Sequence, residues 1–94
     1  MTDNKLKDIE AIEKDIKKLS ISKNVKFDDL VHIVSKYFGK PRITGSHHVF
    51  KTPWQGKPMI NLQPWKKMAA PYQVKQVIKA LEQLKELEWR KTNV

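Results

Sequence analysis

The apolar positions of this chain follow two rhythms. Leu6, Ile9, Ile12, Ile16 and Leu19 recur every three or four residues, which predicts one apolar stripe on a charged helix over residues 3–19. Glu13 and Lys17 stand four apart on it, a spacing that supports a helix. Ser20-Ile21-Ser22-Lys23-Asn24 has the composition of a loop and should end it. The rhythm returns at Phe27, Leu30, Val31, Val34 and Phe38, predicting a second helix over 27–38. Asp28 and Asp29 suit its first turn, Gly39 suits its stop, and Pro41 prevents continuation.

Then the period changes. Residues 42–44, 46–52 and 59–63 read as three short strands, with Pro53-Trp54-Gln55-Gly56-Lys57 as the turn between the last two. Trp65-Lys66-Lys67-Met68 reads as a loop. Pro71 suits the first position of a third helix, whose stripe is Val74, Val77, Ile78, Leu81, Leu84 and Leu87. From Trp89 onward the chain is polar and is expected to fray. The order helix, helix, three strands, helix predicts an α+β fold. A three-stranded antiparallel sheet with helices on one face would bury every stripe and leave the other sheet face open.

Ninety-four residues allow one domain with one modest core. An apolar fraction of 39% beside 31% charged residues reads as soluble and globular. No apolar run has the length of a membrane span and no apolar signal segment opens the chain, so no membrane partner is expected. The absence of cysteine excludes a disulfide framework and thiolate metal sites, and fits a cytoplasmic location.

Charge sharpens the picture because it is uneven. Residues 40–79 hold eight basic residues and no acid, so nearly all of the net +9 lies there. A lysine-rich solvated surface is the bland explanation. Forty residues without a carboxylate favour the other one, an attraction for phosphates.

Within that segment lie His47 and His48. Consecutive strand residues point to opposite faces, so His48 goes with Phe50 and His47 with Val49 and Lys51. Phe50 is the better core residue, which places His48 inward or at a rim and His47 on the open face. Imidazole is the side chain that ordinarily takes and gives protons near neutrality. Metal-free RNA cleavage needs that ability, with a base for the 2′-hydroxyl and an acid for the leaving oxygen. Lys51 is a candidate to steady the transition-state charge. Taken alone, two strand histidines are more often packing residues than catalysts. A zinc site is a poorer reading, since the two diverge, His32 is distant and no carboxylate is near. No metal and no cofactor are expected. Gly45 suggests a bulge or a close backbone approach, which would let a phosphate come near the Ser46 amide and hydroxyl or would be only a tight connection between strands. Trp54 and Trp65 are candidates for stacking on an unpaired base, with packing against the domain an equal alternative. Trp89 should cover core edges, and the N-terminal helix should complete the core.

The stretch Gly45-Ser46-His47-His48-Val49-Phe50-Lys51 resembles the signature of HicA-type toxins, the ribonuclease half of a bacterial toxin–antitoxin pair. The likeness extends through Thr52-Pro53-Trp54, the Gly56 turn and Met59-Ile60-Asn61-Leu62-Gln63 to the last helix, at Tyr72-Gln73-Val74-Lys75-Gln76-Val77-Ile78. Backward it takes in the helix ending at Phe38-Gly39, so it covers roughly residues 26–85. The resemblance implies a fold like the double-stranded-RNA-binding domain, helix–three strands–helix, with an extra N-terminal helix here. On it, residues 1–22 are a helical extension, 23–88 the domain and 89–94 a frayed tail. It also implies translation-linked mRNA cleavage with His47, or its neighbour His48, as the catalytic residue, and a HicB-type antitoxin covering the site. Gly45, Ser46, Lys51, Lys66, Lys67, Lys75 and Lys79 are then the expected phosphate contacts. The chain departs from the family after the third strand, where Leu62-Gln63-Pro64-Trp65 replaces a run with proline and histidine. Two alternatives stand beside the nuclease: a non-catalytic RNA-binding module, and an inactive relative that binds protein.

Overall fold

The computed structural model describes residues 2–54 and 59–92, and the side chains of 8–54 and 59–91. Its elements are α1 (Thr2–Ile21), α2 (Phe27–Phe38), β1 (Arg42–Thr44), β2 (His47–Phe50), β3 (Ile60–Leu62) and α3 (Pro71–Thr92). Among the described residues this is a small α+β fold of three helices and one antiparallel sheet in the order β1-β2-β3. No described helix is long and apolar enough to cross a membrane.

The helix ends have local causes. Ser20 and Ser22 turn their hydroxyls back to the carbonyls of Ile16 and Lys18, at 2.7 and 2.6 Å, a local bonding that competes with continuation of α1. Gly39 stops α2 with φ +84°, and its N–H donates to Ser35 O at 3.1 Å. Two expectations need correction. The tail from Trp89 is helical to Thr92, because Glu86 and Arg90 pair at 2.7 Å across one turn and Arg90 and Lys91 oppose the dipole's negative end. The strands are shorter than expected: β2 stops at Phe50 and β3 spans only Ile60–Leu62, the ladder closing at the Phe50–Ile60 pair. Gln55, Gly56 and Lys57 of the expected turn, and the Leu6 side chain, lie outside the described residues.

The chain divides into two compact units. In Lys23–Val77, α2 packs on β2, and Phe27, Leu30, Val34, Phe50, Ile60, Leu62 and Val77 are buried. Ile33, absent from the expected stripe, is buried as well, while Val31 is only half-buried. Each fully buried side chain of this size is worth about 1.5–3 kcal/mol. The other unit joins Met1–Ser22 with Ile78–Val94, so residues 78–88 group with α1. Ile9, Ile12, Leu19, Ala80, Leu81 and Leu84 are its buried residues. Trp89, expected at a core edge, is 53% exposed and lines a groove with Ile9 and Glu86.

Candidate active site

Two residues, Gly45 and Ser46, connect β1 to β2. Gly45 has φ +60° while Ser46 is not left-handed, the pattern of a type II′ hairpin, whose twist matches that of its strands. Pairing runs without interruption through Arg42–Val49, Ile43–His48 and Thr44–His47, so there is no bulge. A Cβ on Gly45 would meet nothing within 4 Å. The glycine supplies the positive φ of this tight strand connection, and the space beside it is open.

Register assigns the faces. Ile43, His48 and Leu62 form one cross-strand row, and Phe50 and Ile60 extend it on the same side. Arg42, Val49 and Asn61 form a row on the opposite side, where Thr44 and His47 also lie. The first side is the core side, with Phe50 and Leu62 fully buried, although Ile43 on the edge strand stays 61% exposed. The second side is exposed apart from half-buried Val49, and none of its five strand residues is a carboxylate.

The two histidines thus have different surroundings. His48 is half-buried, its ring edge-on to Phe27 with centroids 5.0 Å apart, and its Nδ1 lies 3.2 Å from the Ser46 carbonyl oxygen, where an Nδ1–H donates. His47 is exposed, and its Nδ1 lies 3.3 Å from Asn61 Oδ1. Asn61 is the diagonal neighbour of His47 across β2–β3, a position within reach of such side chains. With Nδ1–H donating to Asn61, the lone pair of Nε2 is left for a substrate proton. This orienting amide was not among the expected site residues. Its parity, between Ile60 and Leu62, signals an outward side chain, but only the register shows which residue it meets.

Arg42 is not among the expected site residues either, yet on the sheet it lies nearer to His47 than Lys51 does. At about 3.3 Å per strand residue, Lys51 starts about 13 Å along the chain from His47. Arg42 pairs with Val49 and is diagonal to His47, about 7–8 Å between backbones. Gly45, Ser46, His47 and His48 come together on the hairpin. Lys66 and Lys67 belong to a second feature, and Lys75 and Lys79 are exposed four residues apart on α3.

That second feature is the segment expected as a loop. It is a two-residue turn in which Trp65 and Met68 exchange backbone hydrogen bonds of 3.0 and 2.9 Å. Lys66 and Lys67 at its tip have φ +51° and +65°, a left-handed conformation costing a side-chain-bearing residue roughly 1–2 kcal/mol. The conformation has a local use: Lys67 O accepts the Phe27 N–H at 3.0 Å, satisfying a first-turn donor of α2, whose N-cap Lys26 makes no side-chain cap. The two tryptophans divide their roles. Trp54 is half-buried with its ring edge-on to Phe38 at 5.8 Å, so it packs; Trp65 is 67% exposed.

Among the described residues no three His, Cys, Asp or Glu side chains come together as a metal site. Compared with family models, curated proteins and solved structures, the chain matches none.

Proposed function

We propose that this chain is a HicA-type toxin, an endoribonuclease that cleaves mRNA with His47 as its acid–base group. One observation carries the reading: His47 stands exposed on a sheet face without carboxylates, with Asn61 at its Nδ1 and Arg42 diagonal to it. Nε2 takes the proton of a ribose 2′-hydroxyl, and the 2′-oxygen bonds to the adjacent phosphorus. The bond from phosphorus to the 5′-oxygen breaks, and that oxygen takes a proton from the imidazolium or from water. The products are a 2′,3′-cyclic phosphate and a 5′-hydroxyl. Arg42 stabilises the charge on the five-coordinate phosphorus. Asn61 holds the ring in one tautomer, the support that the family's second histidine, absent from Leu62-Gln63-Pro64-Trp65, would otherwise give.

The order α2-β1-β2-β3-α3 supports a double-stranded-RNA-binding-domain-like fold for this part of the chain. The excess positive charge of residues 40–79 supports RNA as substrate and an acidic HicB-type antitoxin as the partner that covers the open face, in the cytoplasm where both occur.

The test is cleavage of an end-labelled RNA in excess EDTA, together with growth after induced expression. The wild type should release cyclic-phosphate ends and arrest growth, and His47→Ala should do neither while remaining folded. Intact RNA with the wild type, despite tight binding, would replace the nuclease with a binding module.

A further inference from the structure

Trp65 exposes 67% of its surface between lysine and proline in the carboxylate-free segment. The Lys66 ammonium lies over its ring, 4.8 Å from the centroid, which sets a positive charge on one face of the indole and leaves stacking to the other. The turn behind it is closed on itself by the Trp65–Met68 bonds and tied to the start of α2 by Lys67 O–Phe27 N and Val25 O–Ala69 N, at 3.0 and 2.9 Å. A turn with two left-handed tip residues is ordinarily built from asparagine and glycine. The cap on α2 needs only the backbone of that turn, so it explains the conformation but not the two lysines.

We propose that Trp65, Lys66 and Lys67 form a preorganised subsite for an unpaired nucleotide, its base stacked on Trp65 and its phosphate held by the lysines. The inference rests on RNA being the substrate and adds the form recognised, a single-stranded segment. The turn has a physical link to the histidine strand. Phe27 donates its N–H to Lys67 and presents its ring to His48, so the hairpin and the stacking turn are seated on one residue. Duplex RNA, with its bases already stacked, gains nothing from the indole.

The experiment is binding of the full chain to 2′-O-methyl RNA, which cannot be cleaved through the 2′-oxygen, as a 12-nucleotide single strand and as a 16-base-pair duplex. Trp65→Ala should weaken single-strand binding about 5- to 100-fold and leave duplex binding unchanged, and Trp65→Phe should retain most of it. Lys66→Gly with Lys67→Gly relieves the backbone and should raise Tm by several degrees while weakening the single strand and flattening its salt dependence. Unchanged single-strand affinity in Trp65→Ala, or equal loss on strand and duplex, would overturn the stacking subsite. Poly-glutamate binding that depends on Trp65 where RNA binding does not would also overturn it, in favour of an acidic protein partner. Loss of cleavage in His47→Ala on unmodified RNA reads the nuclease assignment separately, so either reading can fail while the other stands.

Discussion

The ring of His48 meets the ring of Phe27 edge to face, with centroids 5.0 Å apart and planes at 76°. This contact joins β2 to the first residue of α2 and gives one of two adjacent histidines a packing partner. The other, His47, is exposed and, among the described residues, has Asn61 at its Nδ1.

Stability and activity should therefore separate between them. His48→Ala loses an aromatic contact and a hydrogen bond and should cost about 1–2 kcal/mol in chemical denaturation. His48→Phe should recover much of that stability and retain cleavage. His47→Ala should change stability by less than about 0.5 kcal/mol and lower the cleavage rate by about 10²- to 10⁴-fold. A His47→Ala variant that cleaves as well as the wild type would remove His47 from the chemistry.

On the proposed mechanism, Asn61 should act on the reaction through the His47 ring it contacts. Asn61→Ala should lower kcat with little effect on RNA affinity, because the imidazole loses its orienting partner. Asn61→Asp places an anion at Nδ1, which favours the charged ring. The pH–rate profile of Asn61→Asp should then differ from that of wild type. Identical profiles would show that Asn61 does not touch the working histidine.

Arg42 and Lys51 should differ in kind. Arg42→Ala should reduce the cleavage rate by at least tenfold, since its charge lies diagonal to His47. Lys51→Ala should mainly weaken binding and reduce the steepness of its salt dependence by about one phosphate contact. Single-turnover rates at saturating RNA distinguish the two.

Gly45→Ala tests the hairpin. The added methyl has open space, so the cost is that of φ +60° alone, about 1–2 kcal/mol by thermal or chemical unfolding. Gly45→Asn should cost less, because asparagine tolerates that region better. A larger loss for both would mean that the loop meets something beyond its own backbone.

Much of the architecture follows from the sequence because its signals are local. The stripe of α2, the Gly39 stop and the Pro41 barrier define Phe27–Phe38 without knowledge of the rest of the chain, and Pro71 marks the start of α3 for the same reason. Strand parity likewise separates His47 from His48, since alternation needs only the identity of Phe50 as a core residue. The uneven charge is also written in the sequence, in forty residues without an acid.

Tertiary structure alone decides what depends on register and on distant partners. Asn61 reaches His47 because Val49 pairs with Asn61, and Arg42 approaches because it pairs with Val49; no local pattern encodes either pairing. The Trp65–Met68 turn looked like a loop because lysines disfavour left-handed φ. Its backbone is settled there by hydrogen bonds to Val25 and Phe27, some forty residues earlier in the chain. Local propensity thus specifies the elements and their faces, while long-range pairing determines which side chains share a face and which strained turn is held.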